Sequence, residues 1–133
     1  MRRLIAVALS TIALGSALLA ASPAQAATVV AEGSLTQSNA LGYTKISMTG
    51  ATLTGFFTIK DTKTDGSCAY ARVVYKNDSN TTLLTSQTGK SCTTGGTVQY
   101  SIPTTSNTSI SKAVLEVWNG ASGAKKTRTF GIG

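Results

Sequence analysis

From residue 27 onward, apolar and polar residues alternate in short runs, and this period of two is the feature that most restricts the fold. The clearest run is AYARVVYK at residues 69–76. Successive side chains of a strand point to opposite faces, so one face of this run carries only alanine, valine and tyrosine. The other face includes an arginine and a lysine. The uncharged face is therefore predicted to lie in the core.

A second run with the same period is AVLEVWN, close to the C-terminus. Its inward set is Ala113, Leu115 and Val117, which leaves Glu116 and Trp118 facing outward or half covered. No run after residue 27 shows the period of an amphipathic helix. The pattern thus favours strands throughout.

Clusters of Gly, Asn, Asp and Ser separate the β-rich runs and mark turns. In one run Val98, Tyr100 and Ile102 form a further inward set. The chain is predicted to be all-β, a small antiparallel β-sandwich of about 7–8 strands, with a small β-barrel as the alternative. The predicted strands are Val29–Thr36, Tyr43–Met48, Thr52–Lys60, Cys68–Lys76, Thr81–Thr85, Thr97–Ile102, Ala113–Asn119 and Thr127–Ile132.

The first 26 residues have the pattern of an export signal. A basic start, MRR, precedes an apolar stretch that ends in the small-residue sequence Ala24-Gln25-Ala26. Cleavage there would leave residues 27–133 as a single secreted, extracellular domain. No later stretch is long or apolar enough to span a bilayer, so no membrane association is expected after cleavage.

The expected mature chain is basic. Residues 27–133 hold ten Lys and Arg residues and five Asp and Glu residues, a net charge of +5. Such an excess favours anionic cell-wall polymers, nucleic acid or acidic proteins, or serves solubility alone. A secreted protein partner or a cell-surface glycan is the leading expectation, and nucleic acid is not expected.

Two cysteines, Cys68 and Cys92, remain in the exported chain. An even number of cysteines in an oxidising compartment predicts a disulfide. Closing a loop of this length stabilises the fold by about 3.5 kcal/mol in the chain-entropy model. A catalytic or metal-binding pair of thiols is less favoured, because the sequence has neither histidine nor a CxxC spacing.

The stretch DTKTDG, which begins at Asp61, resembles the start of a calcium loop. Such a loop needs oxygen ligands at its third and twelfth positions, where this chain has Lys63 and Arg72. Asp65-Gly66 is instead a strong hairpin-turn dipeptide, because glycine adopts positive φ without strain. We therefore predict a turn and no metal site.

The sequence excludes much catalytic chemistry. Without histidine, the Ser-His-Asp and Cys-His arrangements cannot form. No glycine-rich phosphate loop opens a helix, and no cofactor is expected. A small hydrolase that uses Glu32 or Glu116 remains the least favoured alternative, and we expect no enzyme activity. The carboxylates of the mature chain are Glu32, Asp61, Asp65, Asp78 and Glu116.

The export signal and the strand–turn–strand unit GFFTIKDTKTDGSCAYARV, residues 55–73, resemble small secreted proteins of actinobacteria such as streptomycetes. Those proteins are single β-sandwich domains, mostly of unassigned function. The chain is also similar in size and character to the small adaptor subunit of streptomycete umbrella toxin particles. In those particles a compact β-domain and an extended N-terminal segment join a lectin-bearing subunit to a toxin stalk. The resemblance implies a non-catalytic adaptor.

Three places are candidate binding sites for a secreted binding or adaptor domain. Large aromatic residues and arginine dominate binding hot spots, so Tyr70, Arg72 and Trp118 on an outward sheet face are the first candidates. The apolar segment 27–33 is the second, since a free β-prone end can add to a partner's sheet. The disulfide-braced loop Ser86–Gly96 would serve a protease inhibitor. A carbohydrate-binding or cell-wall-binding module, which uses exposed aromatic residues, is a further alternative.

Overall fold

A computed structural model of the chain describes residues 26–64 and 66–132. The predicted export signal lies outside the described residues except for Ala26, and so do Asp65 and Gly133. The described residues form nine strands and no helix, so none of them belongs to a helix that could cross a membrane. The strands are β1 (Thr28–Gln37), β2 (Ala40–Thr49), β3 (Thr52–Asp61), β4 (Ala69–Lys76), β5 (Thr82–Thr85), β6 (Gly89–Ser91), β7 (Thr97–Ser106), β8 (Lys112–Asn119) and β9 (Lys126–Gly131).

The strands form two antiparallel sheets that pack face to face. The four-stranded sheet has the order β1-β2-β3-β7. The five-stranded sheet has the order β5-β4-β8-β9, and β6 pairs with β4. The prediction of an antiparallel sandwich is confirmed, and the two separate sheets rule out the alternative of a closed barrel.

The pairing of β4 with β8 confirms the inward faces predicted from the alternation. Val73 lies opposite Leu115, and Tyr75 lies opposite Ala113. All four side chains are fully buried. Outward side chains of the same two strands are also shielded from solvent, and Val114 for example is only 7% exposed.

The inward direction predicted for Val98, Tyr100 and Ile102 of β7 is correct, since each lies opposite an inward residue of β3. Ile102 is buried and Tyr100 is half-buried, where its ring stacks on that of Phe57 at a centroid distance of 5.4 Å. Val98, however, is 38% exposed. The reason is that β7 is an edge strand of its sheet and Val98 lies near its start.

Strand β6 was not predicted, because its sequence GKS has no apolar alternation. β5 and β6 follow one another along the same edge of β4. Between them, the Ser86 hydroxyl accepts a hydrogen bond from the Val73 amide at 2.9 Å, and the Ser86 amide donates to the Val73 carbonyl. Ser86 thus continues the hydrogen-bond ladder where the strand is interrupted.

The predicted disulfide between Cys68 and Cys92 is confirmed, and it joins the residues next to β4 and β6. The turn prediction for DTKTDG is consistent with Gly66, whose φ is +77°. Asp61 is only 2% exposed, and its carboxylate accepts hydrogen bonds from the Asn39 amide group and the Lys63 backbone N–H. The Asp61 carboxylate therefore joins the turn between β1 and β2 to the loop after β3.

Strand β1 forms one edge of the four-stranded sheet. On this edge, the Arg128 guanidinium donates to the Ser34 carbonyl at 2.9 Å. Edge strands present unpaired backbone groups that other chains can pair with, and charged side chains at the edge discourage such pairing. Arg128 of β9 therefore links the two sheets and covers part of this edge.

We expect Gly66→Ala to lower the free energy of unfolding by about 1 kcal/mol, because alanine is strained at positive φ. Gly131→Ala is the matched control. A Cβ at either glycine would meet no atom within 4 Å, but only Gly66 has a positive φ. Chemical denaturation of both variants measures the difference. Equal stability of the two variants would contradict the strain at Gly66.

We expect Tyr75→Phe to be at least as stable as the wild type at neutral pH. The Tyr75 hydroxyl is buried, and no hydrogen-bond partner for it lies within the described part of the chain. Removing a buried, unpaired polar group is neutral or favourable. Denaturation at pH 7 tests this expectation, and a large loss of stability would show that the hydroxyl has a partner.

The same substitution should change the response to alkali. Burial raises the pKa of Tyr75 to about 12, from 10.0. The neutral hydroxyl favours the folded state fully below pH 10.0, and this contribution is lost as the pH rises towards about 12, because the unfolded chain ionises first. Tyr75→Phe should therefore unfold at a higher alkaline pH, which a pH titration followed by circular dichroism measures.

Candidate functional site

The structure brings together the three predicted residues Tyr70, Arg72 and Trp118 on the outer face of the five-stranded sheet. Tyr70 lies directly opposite Trp118 across β4 and β8. Their rings stack at a centroid distance of 5.6 Å and an interplanar angle of 6°. The Arg72 guanidinium carbon lies 5.8 Å from the centroid of the Trp118 ring. The outward direction predicted for these side chains is correct.

The Trp118 ring of this cluster is closed to solvent, whereas Tyr70 is half-buried. Trp118 is 5% exposed, and the Lys125 ammonium lies 4.7 Å from the centroid of its ring. Arg72 forms an ion pair with Glu116 at 2.6 Å. Trp118 therefore supports other side chains instead of offering an open stacking face. A direct role of Tyr70, Arg72 and Trp118 in binding stays a prediction.

Cations dominate the outer face of the five-stranded sheet. The register places four of them on the outward positions of β4, β6 and β8, and Lys125 joins them above Trp118. One carboxylate, Glu116, shares the face. The next, Asp78, lies beyond it in the turn between β4 and β5. The cations are Arg72, Lys76, Lys90, Lys112 and Lys125.

Two of these cations face each other directly. Lys76 of β4 pairs in register with Lys112 of β8. Like charges directly opposite each other destabilise a sheet. Lys112 donates a hydrogen bond to the side-chain oxygen of Asn80, but neither lysine forms an ion pair within the described part of the chain. This end of the face therefore carries two lysines without an ion-pair partner among the described residues.

The outer face of the four-stranded sheet carries a second pair of aromatic residues, which the sequence did not single out. The rings of Tyr43 and Phe56 are tilted by 50° at a centroid distance of 6.1 Å. The Tyr43 hydroxyl donates to the Glu32 carboxylate at 2.5 Å. This hydrogen bond, with smaller effects of burial and of the Glu32 charge, raises the pKa of Tyr43. Both rings are only half-buried, unlike Trp118.

An open depression of about 340 Å³ lies beside Phe56 on this face. It crosses β2, β3 and β7, where the register between β3 and β7 shifts between Leu53 and Gly55. Its walls combine one aromatic ring, hydroxyl groups, an amide and one ammonium group. They are formed by Lys45, Ser47, Thr54, Gly55, Phe56, Gln99 and Ser101.

Both of the other two predicted sites contain strand residues of the two sheets. From Thr28, the N-terminal segment 27–33 pairs with β2, so it is a strand of its own sheet. Within the loop Ser86–Gly96, the backbone N–H and carbonyl of Lys90 both bond the Tyr100 hydroxyl, at 3.0 Å each. The Gly95 backbone N–H donates to the Asp61 carbonyl at 2.6 Å, which ties the loop to the end of β3 as well. Their roles in binding stay predictions.

Glu32 and Glu116, the two carboxylates of the hydrolase alternative, do not face each other. Glu32 and Glu116 lie on the outer faces of opposite sheets. Among the described residues, no three or more Cys, Asp or Glu side chains gather where they could hold a metal ion. A glycosidase needs two carboxylates that face each other across the bond to be cut, and Glu32 and Glu116 do not meet this requirement.

Comparison with protein-family models, with curated protein sequences and with solved structures finds no match to this chain. The resemblance to small actinobacterial secreted proteins and to the umbrella toxin adaptor subunit therefore stays a prediction.

We expect Trp118→Ala to lower the free energy of unfolding by about 3 kcal/mol, since replacing a buried Trp with Ala removes extensive packing. Tyr70→Ala should cost less, because Tyr70 is only half-buried. Denaturant titration of the two variants measures both losses. A loss below about 1 kcal/mol for Trp118→Ala would show that the ring contributes little packing.

Proposed function

We propose that this chain is a secreted, non-catalytic binding domain that holds a phosphate-bearing cell-wall polymer on the outer face of its five-stranded sheet. Export follows from the signal pattern of residues 1–26, and the disulfide fits an oxidising compartment. The observation that carries the proposal is the placement of charge.

The positive charge of the domain is concentrated on this face. Its five cations and one carboxylate give it a net charge of +4. The expected mature chain has a net charge of +5, so the rest of the domain is nearly neutral. Solubility alone would be served by charges spread over both faces. Charge gathered on one face instead raises the local concentration of anions there.

Two of the cations are also held in position by an aromatic ring. Lys125 and Arg72 lie against the ring of Trp118, and cation–π attraction of this kind is worth about 0.5–1 kcal/mol at exposed sites. Tyr70 stacks on the Trp118 ring and holds this ring in place. Side chains that are already ordered lose less entropy when a ligand binds. The stacked pair of aromatic residues thus serves as a support for the charged surface.

The cations are spread along the strands. Lys90 lies beside Tyr70, and Lys76 lies six positions further along β4. At about 3.3 Å per residue, this separation is about 20 Å. A single anion cannot contact both ends of such a face, whereas a linear polymer with repeated anionic groups can. Threonine hydroxyls of the flanking strands, at Thr85 and Thr129, lie between the two ends.

Nucleic acid is less suited to this face than a wall polymer. Single-stranded nucleic acid is bound through bases that stack on open aromatic rings. Here Trp118 is 5% exposed and its ring is covered by Lys125. A polymer of phosphodiesters and polyols needs only the charges and hydroxyls that the face presents.

The test is co-sedimentation of the mature protein with isolated Gram-positive cell walls. We expect retention on walls that keep their phosphate polymers and little retention on walls stripped of them by acid. Raising the salt from about 0.05 M to about 0.5 M should release the protein, because screening weakens exposed charge pairs. The double variant Lys76→Gln/Lys112→Gln should bind at least about tenfold more weakly, through loss of the paired ammonium groups.

The matched control removes the same charge elsewhere. Lys60 lies on the outer face of the four-stranded sheet and Lys63 lies in the loop after β3, so Lys60→Gln/Lys63→Gln should retain the wild-type affinity. Melting curves confirm that both variants are folded. Equal loss in both variants, or equal retention on stripped walls, would overturn the proposal. So would equal affinity for double-stranded DNA at the same salt.

A further inference from the structure

The depression beside Phe56 lies on the face opposite the basic one, and its chemistry is different. Only one charged group, Lys45, lines it. The rest of its wall is formed by hydroxyl groups, one amide and the Phe56 ring. Its volume of about 340 Å³ is at the lower end of pockets that hold small ligands, about 300–1,000 Å³.

The polar side chains around this depression are not engaged elsewhere. Within residues 26–64 and 66–132, none of them forms a side-chain hydrogen bond or an ion pair. Neighbouring polar side chains outside the depression, in contrast, do form hydrogen bonds. The Tyr43 hydroxyl binds Glu32, and the Thr44 hydroxyl binds the Phe56 carbonyl. The unengaged groups are Lys45, Ser47, Thr54, Gln99 and Ser101.

These groups surround a fixed aromatic ring. Phe56 lies between Lys45 of β2 and Ser101 of β7 in the register of the sheet, and the ring of Tyr43 lies against it. Ser47 lies directly opposite Thr54. Side chains directly opposite each other on neighbouring strands are about 5 Å apart. Their hydroxyls can therefore bond different groups of the same small ring.

The arrangement suits a sugar better than a peptide. β3 is paired on both sides, by β2 and β7, so its backbone groups cannot accept an added strand. A pyranose has an apolar face of C–H groups that packs on an aromatic ring, and hydroxyls at its rim that both donate and accept. The depression presents a flat ring with side chains that also donate and accept.

We infer that this depression binds a neutral pyranose unit of a cell-surface glycan. The C–H face of the sugar lies on Phe56, and its hydroxyls bond the side chains of Gln99, Ser101 and Thr54. This site is separate from the basic face, because it lies on the other sheet and does not depend on charge. The domain would then contact a charged polymer with one face and a neutral sugar with the other.

The test is a titration of the isotope-labelled mature protein with the tetrasaccharides of N-acetylglucosamine and of glucose, followed by the amide resonances of β3 and β7. We expect saturable shifts at Phe56 and Ser101 with at least one of the two sugars. Phe56→Leu, which keeps an apolar side chain but removes the flat ring, should weaken binding about tenfold. Gln99→Ala should weaken binding about threefold to tenfold, by loss of a hydrogen bond.

The control is Thr97→Ala, on the same strand and the same face two residues before Gln99. It should leave the affinity unchanged, and added salt should leave it unchanged too, which separates this site from the basic face. The absence of saturable shifts with both sugars would overturn the inference. So would full binding by both Phe56→Leu and Gln99→Ala, or a loss in Thr97→Ala equal to that in Gln99→Ala.

Discussion

The close approach of the two sheets at Gly42 and Val117 is the constraint on which the rest of the structure depends. A Cβ at Gly42 would come within 2.5 Å of a methyl group of Val117. Because no side chain intervenes, β2 and β8 lie close together in the middle of the sandwich. The fully buried Ala71 completes this small-residue centre, and the larger core side chains Phe57 and Tyr75 are also fully buried. Both outer faces therefore rest on a closely packed inner layer.

Much of the fold could be predicted because its signals are local. In β4 and β8 the alternation of residue types fixes which side chains face inward, and the register confirms it. The missed strand β6 has only three residues and relies on the Ser86 hydroxyl and on Tyr100 for its position. Val98 has the pattern of an inward residue, but its exposure depends on β7 being an edge strand. Contacts with residues remote in sequence decide both the position of β6 and the exposure of Val98.

The sites were harder to predict than the fold for the same reason. Sequence reasoning placed Tyr70, Arg72 and Trp118 on one outward face, and they lie there. It could not show that Lys125 lies over the Trp118 ring, because that contact depends on the path of the chain between β8 and β9. The depression beside Phe56 draws its walls from three strands, so only the register brings its residues together. The alternation within FFTIK is the one signal that could have pointed to Phe56 as outward.

The disulfide between Cys68 and Cys92 limits the damage that a single proteolytic cut can do. Together with the chain between them, it closes a covalent ring that contains β4, β5 and β6. The exposed turn between β4 and β5 lies within this ring. Exposed turns with small polar residues are where proteases cut most readily. A single cut there would leave both halves joined by the sulfur–sulfur bond, so the nicked domain would stay in one piece.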